Sequence, residues 1–178
     1  MPFARDLLDV LVVPADPQAA IDAEQIGALF DRWQQAGLLG PGTGPLRRTA
    51  GPRAWGLLAG GFGTLWLDRP ERMALYANQL GGFRIHCPDC GAALALAFGR
   101  AVESWRRGGD PLLRCPFCGA SRPVWSVPLA PRGAFARGAV IFGDAAGRGP
   151  EALEPTATAQ HELSLVMGPI EILLRRRA

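Results

Sequence analysis

Near the start of the chain, Leu7 to Val13 runs Leu-Leu-Asp-Val-Leu-Val-Val and stops at Pro14. A short Leu/Val run closed by a residue that cannot donate to a ladder predicts a buried strand. Asp16 then offers a helix cap and Pro17 a first helical residue. Ile26, Leu29, Phe30 and Trp33 recur at i, i+3, i+4 and i+7, so a helix is predicted as far as Gly37. Gly40 to Arg53 is rich in Gly, Pro and Arg and reads as a loop. Ala54 to Pro70 reads as one or two strands with a glycine break at Gly60 and Gly61.

The pattern changes between Gly82 and Pro128. Leu94 to Phe98 alternates as a strand would, while Phe98, Ala101, Val102 and Trp105 share one helical face that ends at Gly108 and Gly109. After this segment the opening pattern returns. Gly133 to Asp144 reads as a strand, Glu151 to Gly168 contains a helix with Leu163, Val166 and Met167 on one side, and Pro169 to Arg177 is a final strand. Two strand-helix-strand units on either side of an insertion predict an α+β domain. Their order is β-α-β-β-α-β, which suggests a ferredoxin-like scaffold with an unspecific α+β domain as the alternative. The expected division is residues 1–81 for the first half, 82–128 for the insertion and 129–178 for the second half.

Composition narrows the chemistry. With 178 residues and 48% apolar content the chain can bury a core. All 19 basic residues are Arg, which excludes a Schiff-base lysine and a phosphate-loop lysine. A net charge of +3 is too small to imply a polyanionic partner by itself. Asp6 and Asp9 interrupt the first apolar run, so no secretory leader is expected. The longest uncharged apolar stretch, Ala54 to Leu67, has 14 residues and four glycines, too short and too broken to cross a membrane. A cytoplasmic location with no membrane partner is therefore expected. Thiols stay reduced there, and paired cysteines point to metal before disulfides.

The four cysteines carry the strongest signal. They occur in two copies of Cys-Pro-x-Cys-Gly, with Cys87 and Cys90 in the first, Cys115 and Cys118 in the second, and 24 residues between the pairs. A two-residue gap lets both sulfurs of a pair face one ion from a tight turn. Pro88 and Pro116 stiffen each turn, and Gly91 and Gly119 permit positive φ, so that backbone N–H groups can turn toward sulfur. One structural Zn2+ per chain is expected on Cys87, Cys90, Cys115 and Cys118, with rubredoxin-type iron as the rival on the same ligands. Four thiolates leave no open coordination position, so hydrolytic metal chemistry is not expected. The segment Phe83 to Val127 resembles the knuckle turns of zinc ribbons and rubredoxins. The whole chain more broadly resembles uncharacterised bacterial proteins that carry such a ribbon inside a small α+β domain.

Other candidates are weaker. His86 adjoins Cys87 and reads as a strand position entering the turn, with a role as an extra ligand or as a hydrogen-bond donor to sulfur as the alternative. His161 and Glu162 read as a helix surface pair, since no second histidine follows at i+4. No Gly-x-Ser-x-Gly elbow is present and Gly40 to Arg48 lacks the Gly-Lys-Ser/Thr of a phosphate loop, so no catalytic residues are assigned. Arg47, Arg48, Arg53, Arg106, Arg107 and Arg175 to Arg177 could form a basic face for nucleic acid. Trp55, Phe62 and Trp66 are either core or an apolar patch. The expected function is non-enzymatic binding of a macromolecule, a protein first and a nucleic acid as the alternative.

Overall fold

Alternation along the first strand decides the architecture. In the computed structural model, which describes residues 8–77, 84–129, 133–147 and 149–176, strand β1 (Leu8–Pro14) is buried on both faces. Val10 and Val12 join one apolar cluster, and Leu11 and Val13 join another. A strand apolar on both sides must lie inside a sheet that is covered twice.

The chain forms two compact units, Met1–Leu80 with Pro131–Ala178, and Gly81–Ala130. In the first unit, helix α1 (Ala23–Gln35) is capped by Asp22, whose carboxylate accepts from the Glu24 and Gln25 amides. The helix therefore starts later than Pro17. Asp16 instead closes a turn, accepting from the Gln18 amide. The predicted face is correct: Ile26, Leu29, Phe30 and Trp33 are all buried.

Strand β2 (Arg47–Thr49) is a short strand within the stretch read as loop. A single 3-10 turn at Ala54–Gly56 precedes strand β3 (Thr64–Asp68), and strand β4 (Ala74–Ala77) follows it. Beyond the second unit come strands β7 (Gly133–Ala136) and β8 (Ala139–Ala145), two strands where the sequence suggested one. Helix α3 (Ala157–Met167), capped by the Thr156 hydroxyl, and strand β9 (Ile170–Arg176) complete the unit.

The main sheet has the order β2-β3-β8-β1-β9, with every neighbouring pair antiparallel. The two strands of each strand-helix-strand half are thus separated by one strand of the other half. This arrangement is α+β. Both helices pack on one face, where Leu29, Phe30 and Trp33 of α1 and Leu163 and Met167 of α3 meet Val10, Leu65, Val140 and Phe142. On the other face Leu11, Val13, Ile141 and Leu173 pack with Tyr76, Ala134 and Ala136 of the two-stranded β4–β7 ribbon. Between Leu8 and Val10 the β1–β8 register shifts, so Gly143 and Asp144 oppose Asp9 alone. Asp144 takes φ 55° at this bulge.

The second unit contains helix α2 (Ala95–Arg106) and a hairpin of strands β5 (Leu112–Arg114) and β6 (Ser121–Pro123). Leu94 to Phe98 is not a strand: α2 begins at Ala95 and buries Phe98, Ala101 and Val102 on one side. Five apolar residues cannot distinguish alternation from the start of a helical face, and here the longer period wins. The Trp105 and Trp125 rings lie 6.5 Å apart within this unit. Among the described residues no helix is long and apolar enough to cross a membrane.

Candidate metal centre

Each Cys-Pro-x-Cys-Gly stretch folds into the same turn. The Cys87 amide donates to Ala92 O and the Cys115 amide to Ala120 O, both at 2.8 Å. The glycine amides donate back to the first cysteine of each copy, Gly91 to Cys87 O at 2.8 Å and Gly119 to Cys115 O at 3.0 Å. Both glycines have positive φ, 72° and 76°. A Cβ on either would meet nothing within 4 Å. Their requirement is therefore conformational and not one of space.

Different elements deliver the two turns. The first lies between Ile85 and Leu94, tied by the Leu94 amide donating to Ile85 O at 2.7 Å and by a bridge between His86 and Ala93. Helix α2 leaves directly from it. The second forms the tip of the β5–β6 hairpin. Asp89 of the first turn forms an ion pair with Arg122, just beyond the second, and so links the two.

The four sulfurs lie within 4.8 Å of one another. Cys87 Sγ is 3.7 Å from Cys118 Sγ, and Cys90 Sγ is 3.7 Å from Cys115 Sγ. A disulfide would need about 2.05 Å. A tetrahedron of sulfurs each about 2.3 Å from a central ion has edges of about 3.8 Å. The spacing therefore suits an ion between the four sulfurs. Cys87 and Cys115 are buried, while Cys90 and Cys118 are exposed.

Backbone amides prepare some of these sulfurs for negative charge. The Cys118 amide, with that of Phe117, brings Cys115 down to about 7 despite desolvation. At Cys90 the Ala92 amide also favours the thiolate, but desolvation and the neighbouring thiols of Cys118, Cys115 and Cys87 push the group up to about 12. Four close sulfurs cannot all ionise without a cation. A bound metal supplies the missing positive charge and deprotonates every ligand. Metal affinity should accordingly fall as pH falls, because each thiolate bound replaces a proton, with a slope approaching about four protons per ion in the acidic range. Competition with a chromophoric chelator between about pH 5.5 and 8 reads this slope, and a flat profile would rule out four-thiolate binding.

No family model matches the chain, and neither the curated proteins nor the solved structures contain a significant match. The geometry alone must therefore carry the functional reading.

The remaining sequence candidates are placed as follows. His86 is exposed and its Nδ1 lies 3.0 Å from Gly91 O, so it braces the first turn and stands outside the sulfur cluster. Glu162 is not a simple surface residue: it accepts from Trp33 Nε1 at 2.6 Å and ties α3 to α1. His161 is exposed. Arg48, expected on a surface loop, is buried. It donates to Asp31 Oδ1 at 2.6 Å, to Gln34 Oε1 at 2.9 Å and to the carbonyl of Gly44. Its guanidinium thus ties the loop carbonyl of Gly44 to two side chains of α1. Arg47 lies 5.2 Å over the Trp66 ring. Phe62 belongs to the core, whereas Trp55 is 64% exposed.

Arg175 pairs with the fully buried Asp9, its cross-strand neighbour, at 2.8 Å. Arg177 lies outside the described residues. Sequence reasoning did not find the Asp9–Arg175 pair. Its only signal was an aspartate inside an otherwise Leu/Val run. Tyr76 was missed as well. It donates to Asp68 Oδ2 at 2.8 Å, and burial first, then the Asp68 carboxylate, raise its hydroxyl above the usual range.

Proposed function

We propose that Cys87, Cys90, Cys115 and Cys118 hold one structural zinc ion per chain, and that residues 81–130 form a zinc-ribbon docking module for a protein partner in the cytoplasm. The zinc assignment is supported by soft thiolate ligands in tetrahedral spacing and by a ligand set that closes the coordination sphere. The likeness to bacterial ribbon proteins and the ferredoxin-like reading of the scaffold belong to the same proposal. The interleaved strand order supports the latter.

Exposure of apolar side chains carries the docking reading. Among the described residues five large hydrophobics are exposed, and three of them, Leu96 at 82%, Leu112 at 49% and Phe117 at 74%, lie in this unit of 50 of the 178 residues. Exposed apolar side chains concentrated on a small module favour a protein surface as partner.

One observation favours nucleic acid as a second reading. Residues 81–130 contain six arginines and three acidic residues, a net +3, whereas the rest of the chain balances 13 against 13. Arg84, Arg100, Arg106, Arg107 and Arg114 are exposed.

Elemental analysis should find one zinc per chain, and iron or no metal would refute the assignment. Fluorescence anisotropy with mixed DNA and RNA oligonucleotides separates the partners. Four to six phosphate contacts would cost roughly two to three orders of magnitude in affinity between about 50 and 200 mM salt. No binding at the higher salt is expected, and micromolar binding there would promote the nucleic-acid reading. Protein partners captured by the wild-type chain should be lost with Leu96→Glu/Phe117→Glu while zinc content stays unchanged.

A further inference from the structure

Strand β9 ends the main sheet. Among the described residues it has β1 on one side and no strand on the other. It pairs with β1 over all seven residues without a bulge. An open edge of this length is usually blunted by charged side chains, lysine above all, by proline or by a bulge, and β9 carries Glu171, Arg175 and Arg176. Here the strand contains no proline, and the chain contains no lysine. Ile170, Ile172 and Leu174 reach the helix-side core but remain only half-buried. The opposite edge, β2, has just three residues.

We propose that β9 is the seam of a symmetric homodimer, in which two copies pair antiparallel about a two-fold axis through Leu173 and join their five-stranded sheets into one of ten strands. Between Glu171 and Arg175 the order of side chains along β9 is self-complementary in this register, with Ile170 opposite Arg176 at the ends of the seam. Glu171 falls opposite Arg175 of the second copy, and Ile172 falls opposite Leu174 of the second copy. Cross-strand partners lie on the same face, so the charged pair stays on one face and the apolar pair on the other.

Register is specified by these charges. An axis through Ile172 would set Glu171 against Leu173, and an axis through Leu174 would set Arg175 against Leu173. Within Ile170–Arg176 only the axis at Leu173 places opposite charges against each other. Arg175 uses Nε and Nη2 on Asp9 Oδ2. A guanidinium carries five donors, so Nη1 is available to a second carboxylate. Glu171 is half-buried, and burial alone holds its carboxyl above the usual range. Arg175 of the second copy would supply the cation its own surroundings do not.

Analytical ultracentrifugation of the full chain tests the seam. The wild type should sediment as a dimer of the 18.9 kDa chain at tens of micromolar. Glu171→Arg turns two attractive pairs into two repulsive ones and should weaken association by about tenfold or more. Ile172→Lys, a second and independent variant, should do the same, with far-UV circular dichroism confirming that both variants fold. Register is read by oxidation. Ile172→Cys mixed with Leu174→Cys should give a disulfide-linked dimer on a non-reducing gel. Ile172→Cys alone and Leu174→Cys alone, each matched only in a slipped register, should give no more than the wild-type background. A wild type that stays monomeric to about 100 μM overturns the proposal. So does a dimer that both charge variants leave intact, or cross-linking that favours either cysteine variant alone over the mixture.

Discussion

Cys115→Ser is expected to abolish metal binding and unfold residues 84–129 while the scaffold of the first unit stays folded. Cys115 is buried in the four-cysteine cluster and its sulfur receives two backbone amides. The unit around it is small. Among the described residues its buried side chains are two of the cysteines and nine apolar residues, among them Leu94, Phe98, Val102, Leu113 and Val124. A core of this size cannot offset the conformational entropy of about 50 residues without a staple. In zinc-finger peptides the metal supplies about 10–16 kcal/mol, which there is the folding free energy itself.

The first unit has its own two apolar clusters, whose described members come from residues 8–77 and 133–176. Urea melts followed by tryptophan fluorescence and far-UV circular dichroism should therefore show one surviving cooperative transition, with Trp105 and Trp125 already exposed before it. A variant that loses all cooperative structure would show that the scaffold does not stand alone.

Arg175→Ala should destabilise the scaffold by about 3 kcal/mol, at the lower end of the range for breaking a buried ion pair. Asp9 is fully buried, whereas the Arg175 side chain keeps 29% of its exposure, so water offsets part of the loss. Replacing both partners, Asp9→Val with Arg175→Leu, should recover most of the stability, because the buried carboxylate is removed with its cation. Urea denaturation of the single and double variants decides this. A single-variant loss under about 1 kcal/mol would mean that the pair behaves like one on the surface.

These two sites show why one was legible in the sequence and the other was not. The four-cysteine cluster is built from local turns, and a local turn writes its cysteines at fixed spacing with the same proline and glycine twice. The Asp9–Arg175 pair joins residues 166 positions apart. Nothing near Asp9 names its partner. The same division runs through the fold. The buried face of α1 was legible because its period is carried by four large side chains. Its start was not, since Asp16-Pro17 and Asp22 both offer capping chemistry, and the structure uses Asp22. Strands β2, β5 and β6 have three residues each, too few to show a period. Arg48 looked like loop charge because its partners Asp31 and Gln34 lie on a helix one turn-rich segment away. The interleaving of the two halves depends on pairing β1 with β8 and β9, which no local pattern encodes.

The insertion leaves and re-enters the scaffold at cross-strand neighbours, Ala77 and Gly133. This has a kinetic consequence. The 55 residues from 78 to 132 form a loop that must close before β3 can meet β8 and β4 can meet β7. As a disordered loop it costs about 2 kcal/mol more to close than a turn of a few residues, by the (3/2)RT ln n dependence. A folded insertion behaves as the shorter loop. Metal uptake by the cysteines should therefore speed refolding of a sheet to which none of the four cysteines belongs, by up to about thirtyfold for that free energy.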